Sequence, residues 1–137
     1  MLFFKYLFFC IISVNLYANS LIVIVSKDSN INDISKKELS KIFLSKTKKL
    51  PNGEKSSIIE IYDKNIQSIF YQKICNKNST QLRRYWTKMI FTGKGQPPKK
   101  MKSYKEIIEY VSKNQNAISY IPAEYITSKI QTIMEID

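Results

Sequence analysis

Five apolar residues in a row, Leu21-Ile22-Val23-Ile24-Val25, set the strongest limit on what this chain can form. Four of them are β-branched, which favours an extended strand over a helix. A strand wetted on one face alternates apolar and polar residues. This run has no polar face, so it needs cover on both sides.

The rest of the sequence supplies that cover. Ser35 and Glu38 have the spacing of a capping box, and Leu39, Ile42 and Phe43 form the helical stripe behind it. Residues 45–54 are polar and basic and end in the turn Pro51-Asn52-Gly53. A second strand is predicted over Ser57 to Tyr62, followed by a helix from about Lys64 with Ile66, Ile69, Phe70 and Ile74 on one face. Asn78 and Gln81 frame another helix start. Leu82, Tyr85, Trp86, Met89 and Ile90 then recur at i, i+3, i+4, i+7 and i+8. The aromatics Tyr85, Trp86, Phe91 and Tyr104 read as core. Ser103 and Glu106 open a further helix carrying Ile107, Ile108 and Val111. Ala117 to Ile121 reads as a strand stopped by Pro122, and Ile130 to Ile136 as a half-exposed edge strand. Strands that alternate with helices make an α/β layer with crossover connections.

Residues 1–18 stand apart. Lys5, an apolar run from Tyr6 to Val14 and the close at Ala18 have the layout of a secretory signal, which points to export into the periplasm. The run is shorter than the roughly 20 residues that a span requires. Residues 19–137 are then one domain with a single cysteine, Cys75, on the apolar side of a helical pattern. No internal disulfide is available to it.

Histidine is absent, which rules out a Ser-His-Asp triad, a Cys-His pair and any His-ligated metal. The eleven acidic residues are scattered with no obvious pair, so no catalytic group, metal site or cofactor is expected. A net charge of +11 invites nucleic acid, but the export signal argues against it. Small anions and anionic surfaces fit better. The run Lys99-Lys100-Met101-Lys102 reads as a solvated face, with guidance of anions or contact with a membrane protein as the alternative.

Two segments suit an oxyanion. The first is the helix start after the second strand, Tyr62-Asp63-Lys64-Asn65, where free amides and Lys64 meet. An ordinary helix start capped by Asp63 explains the same residues. The second is Thr92-Gly93-Lys94-Gly95-Gln96, where the amides at Gly93 and Gly95 and the Lys94 ammonium can form an anion nest, or only a structural turn.

Several segments, in order, resemble the small secreted phosphate-binding-protein-like family of ABC transporter substrate-binding proteins. They are Ile42-Phe43-Leu44-Ser45-Lys46, Pro51-Asn52-Gly53, Phe70, Ser79 to Trp86, Ile90 to Pro98, and Ala117-Ile118-Ser119-Tyr120-Ile121-Pro122. Ser45 and Ser119 stand where that family usually has glycine. The resemblance implies one lobe of a type II periplasmic binding fold, a mixed sheet flanked by helices. It also implies non-covalent binding of a phosphate-like anion and work beside a membrane transporter or receptor. Larger members grip phosphate between two lobes with an Arg and a Ser-Gly-Thr run, which this chain lacks. Lys64, Asn65 and Gln67 occupy the corresponding positions. The alternative is a secreted accessory or sensory module that keeps the fold without the ligand.

Overall fold

In the computed structural model, which describes residues 20–137, the apolar run becomes strand β1 (Leu21–Ser26), buried along its whole length. The leader expected at residues 1–18 lies outside the described residues. Alternate side chains of β1 enter two separate cores. Leu21, Val23 and Val25 face one, while Ile22 and Ile24 face the other. The requirement for cover on both faces is met by helices.

The elements follow as α1 (Lys36–Phe43), β2 (Ser57–Ile61), α2 (Lys64–Cys75), α3 (Ser79–Phe91), β3 (Lys99–Met101), α4 (Tyr104–Lys113), β4 (Ala117–Pro122) and β5 (Ile130–Ile136). They build one five-stranded sheet in the order β3-β2-β4-β1-β5. β2 runs parallel to β3 and β4, whereas β1 runs antiparallel to β4 and β5. The sheet is therefore mixed. Residues of α1, α2 and α3 fill the core on one face, and Ile107, Ile108 and Val111 of α4 fill the other.

The helix starts obey local chemistry. Asn78 and Gln81 form a reciprocal capping box on α3. At α1 the Ser35 hydroxyl accepts from the Glu38 amide, but Glu38 answers to the hydroxyl and not to the backbone. At α4 Ser103 caps Glu106, whose carboxylate reaches the Lys102 amide. Each half-box still satisfies one of the first-turn amides.

Two expectations hold in part and one fails. Lys99–Met101 is not merely solvated: it is β3, paired in register with Ile59, Glu60 and Ile61. Its lysine side chains remain exposed, so only its backbone pairing makes it a strand. In β5 the register shifts opposite Val23 and Ile24, which skips Ile133. β5 is the half-exposed edge strand expected, with Ile130 and Ile133 on opposite faces, but the bulge puts Ile136 on the side of Ile133 and away from the α4 core. Finally, Ile69, Ile90 and Phe91 are exposed, Phe91 to 91 %, although helical spacing assigned them to the core. Trp86 is buried, and Tyr85 and Tyr104 are half-buried against the cores.

Both serines that replace glycine have structural consequences. Ser45 adopts a left-handed backbone (φ 56°), the conformation for which glycine is the usual choice. Its hydroxyl donates to the Gln96 carbonyl at 3.1 Å. Ser119 is fully buried, and its hydroxyl has no hydrogen-bond partner.

The core between the sheet and α1–α3 is aromatic. Phe70 stacks on Tyr120 with ring centroids 3.8 Å apart, and Phe43 meets both rings at 4.6 and 5.6 Å. Set among them is a charged group, Glu60 of β2, with no solvent exposure. Its carboxylate accepts from the Tyr71 hydroxyl (3.2 Å), the Tyr120 hydroxyl (3.0 Å) and the Gln67 amide (3.0 Å). Burial pushes its pKa up, opposed by the Tyr120 bond, the Lys100 charge and the bonds from Tyr71 and Gln67.

Three outcomes are expected. Trp86→Ala should destabilise by about 3–5 kcal/mol, as for other large core aromatics, measured by urea denaturation. A cost under about 1 kcal/mol would contradict its core role. Ser119→Ala removes an unpaired buried hydroxyl and should stabilise by about 1 kcal/mol; a comparable loss would show that the hydroxyl has a partner. Folded Glu60 holds its proton more tightly than the unfolded chain does, so stability falls as pH rises from the ordinary carboxylate range through the raised value. Glu60→Gln should flatten that decline, and parallel pH curves for the two proteins would refute it.

Candidate functional site

The two segments singled out in the sequence lie in different places. β2 delivers the chain to Asp63, whose carboxylate accepts from the amides of Asn65 (2.9 Å) and Ile66 (3.2 Å). The capped start is thus the one observed. These two amides, which an anion at the tip of α2 would need, are already satisfied. The Gln67 side chain turns inward to Glu60, while Lys64 stays in solvent.

At the glycine loop, Gly93 has φ 68° and terminates α3. Its amide donates to Ile90 O (3.1 Å) and that of Lys94 to Met89 O (3.0 Å), which is a Schellman cap. The Gly93 and Lys94 amides therefore close the helix instead of forming a nest. Gly95 serves close approach: a Cβ there would lie 2.9 Å from Ser45 Cβ. Both glycines have structural work. Lys94 projects into a cavity of about 540 Å³ that it shares with Lys48, Lys55 and Lys99.

Lys64 and Gln67 instead line a cleft of about 590 Å³ between α2 and α3. Lys64 comes from the start of α2, Lys77 from the α2–α3 turn, Arg83 from the exposed side of α3, and Lys100 from β3. Gln67, Ser68, Asn78 and Ser79 add polar groups to the walls, and Tyr71, Leu82 and Trp86 supply its apolar surface. No Asp or Glu lines it. None of its four cations makes an ion pair among the described residues, where the recorded pairs join Lys113 and Lys129 to Glu109. Lys77 and Lys100 instead lie 5.2 and 5.6 Å from the rings of Tyr85 and Tyr62.

A partly apolar cleft with converging cations and no carboxylate in its lining is suited to a small oxyanion held by charge-assisted hydrogen bonds. Of the residues named from the sequence, Lys64 and Gln67 meet here. Asn65 is not in the lining, and Gly93, Lys94 and Gly95 belong to the other cavity. Only Ile90 borders both. Sequence reasoning missed Lys77 and Arg83, and took Lys100 only as part of a basic run, without placing it in a site. Lys100 was hidden because β3 has no side-chain pattern, and Lys77 and Arg83 because their convergence depends on the α2–α3 crossing.

The carboxyl ends of the strands, where α/β sheets usually collect ligands, have a different character. A cavity of about 680 Å³ there is bordered by Tyr62, Asp63, Tyr104, Tyr125 and Lys129. Tyr104 and Tyr125 stack with centroids 4.4 Å apart. Burial, then Asp63, Tyr125 and Glu124, push the Tyr104 hydroxyl pKa up to about 12. Asp63 and Glu124 beside it make this end less favourable to an anion than the α2–α3 cleft. Among the described residues no cluster of His, Cys, Asp and Glu has the makings of a metal site.

No protein-family model matches the chain, and no curated protein does. Solved structures do. A protein described as a phosphate ABC transporter substrate-binding protein, with bound phosphate, from Clostridium perfringens aligns over 83 % of this chain and 44 % of its own, with TM-score 0.64 and 16 % identity. PstS from Borrelia burgdorferi aligns over 83 % and 46 %, with TM-score 0.61 and 20 % identity. An ABC-type phosphate transport receptor from Vibrio cholerae aligns over 84 % and 45 %, with TM-score 0.57 and 12 % identity. The chain spans less than half the length of each. Its mixed five-stranded sheet and four helices have the fold of one α/β lobe of the phosphate-binding-protein type.

Proposed function

We propose that this chain is a non-enzymatic, solute-binding-type lobe that takes a phosphate-like oxyanion at the α2–α3 cleft, in the periplasm and beside an ABC-type transport system. The observation that carries the reading is the acid-free convergence of Lys64, Lys77, Arg83 and Lys100. The fold likeness to phosphate-binding proteins supports it. Binding would rest on cationic and hydroxyl donors around the anion, with no covalent step and no cofactor. The glycine loop, with Lys94, is the other place such an anion can sit. Export through residues 1–18 would bring the domain to the periplasm.

One observation favours a second reading, an accessory or sensory module that keeps the fold without the ligand. Asp63 fills the α2 start, and Tyr62, Tyr125 and Ile126 are exposed near the strand ends, a surface suited to a protein partner such as a membrane receptor.

Calorimetric titration with phosphate, sulfate and chloride at fixed ionic strength tests the leading reading. Saturable binding selective for phosphate is expected. Lys64→Ala and Arg83→Ala should each weaken it about tenfold, the loss of one charge-assisted contact. Weakening by Lys94→Ala alone would move the anion to the glycine loop. A folded sample that binds no anion would leave the accessory module as the surviving reading.

A further inference from the structure

The net charge of +11 is not spread over the molecule. Residues 64–105 contain eleven of the 22 Lys and Arg residues and no Asp or Glu. The other eleven cations balance the eleven acids, so this one segment accounts for the whole excess. It folds into α2, α3 and the edge strand β3, all three of which contribute to the lining of the α2–α3 cleft. Both cavities bordered by Ile90 lack a carboxylate. Lys64, Lys77, Arg83 and Lys100 stand on one side of it, and Lys48, Lys55, Lys94 and Lys99 on the other.

The most exposed large hydrophobic side chain among the described residues, Phe91, sits in this field beside Ile90. Phe91 is 91 % exposed and Ile90 55 %. Arg84, Lys88 and Phe91 recur at i, i+4 and i+7, so they share one solvent-facing side of α3. Lys94 follows in the loop after the helix. A protruding aromatic ringed by unpaired cations gains little on an acidic protein surface, where the ring would meet charge. At a bilayer it enters the headgroup–acyl boundary while the cations remain at the lipid phosphates, their alkyl stems covering the transition.

We infer that the C-terminal end of α3, with Ile90 and Phe91 at its tip and Arg84, Lys88 and Lys94 around them, is a docking face for an anionic lipid bilayer. The inference does not depend on whether the α2–α3 cleft binds a small anion. It gives the segmental charge a function that a solvated surface lacks.

Co-sedimentation of the full chain with phosphatidylcholine vesicles, with and without phosphatidylglycerol, tests it. The apolar stretch at residues 6–14 is common to every variant, so differences between variants report on α3. Binding should be stronger when phosphatidylglycerol is present and should weaken as salt is raised. Ile90→Ser with Phe91→Ser should cost about tenfold or more in affinity for the anionic vesicles, from the loss of buried apolar area. Lys88→Gln and Lys94→Gln should cost about fivefold each. These side chains are exposed, so circular dichroism should show all variants folded. Equal binding to both vesicle types, no binding to either, or an unchanged Ile90/Phe91 variant would overturn the proposal. So would full displacement by polyglutamate with no contribution from Phe91, which would point to an acidic protein partner.

Discussion

A carboxylate sealed from water organises the centre of this molecule. Glu60 has no exposed surface, and an ionised group in that position costs several kcal/mol unless partners replace its hydration. The partners come from different elements: Tyr71 and Gln67 from α2, Tyr120 from β4, and the Lys100 charge from β3. Satisfying one side chain therefore joins β2 to both neighbouring strands and to the helix above them. The flat stack of Phe70 on Tyr120 and the edge contact of Phe70 with Tyr71 hold the two hydroxyls in place. Register matters here. A slip of one residue in β2 would turn Glu60 toward the α4 core, where Ile59 and Ile61 now sit.

The candidate cleft rests on this arrangement. Gln67 reaches down to Glu60 from the wall of the cleft, and Lys100 stands opposite Glu60 in the β2–β3 register while also lining the cleft. The strand ends are organised around a different balance. A helix start can offer its amides to an anion or to its own cap, but not to both at once, and Asp63 takes those of Asn65 and Ile66. A like competition is resolved the same way at the C-terminal end of α3, where the Gly93 and Lys94 amides return to the helix. At both expected sites, two of the backbone amides serve the fold. The α2–α3 cleft offers anionic partners cationic side chains instead.

Those side chains fall on one half of the molecule. Lys and Arg are long and soluble, so an acid-free stretch of sequence imposes no conformational penalty, yet it leaves a surface without internal neutralisation. Part of that charge, from α2, the α2–α3 turn, α3 and β3, lines the cleft. The rest, with Phe91, faces solvent.

Much of the architecture was legible in the residues themselves. An unbroken β-branched run demanded cover on both faces, and β1 has it. Asn78 with Gln81, Ser35, Ser103 and Asp63 all cap the helices their spacing announced, because a cap is an interaction within four residues. Gly93 at a left-handed helix end follows from the same local logic. What the sequence did not disclose depends on groups far apart along the chain. β3 exists only because β2 offers it an edge. The bulge at Ile133 exists only against Val23 and Ile24. Phe91 is exposed on the same helix that buries Leu82 and Trp86, a distinction that helical periodicity does not contain. The cleft is the clearest case: Lys64, Lys77, Arg83 and Lys100 are ordinary surface cations along the chain, and the tertiary fold makes them a site, because electrostatic potential adds in space and not in sequence.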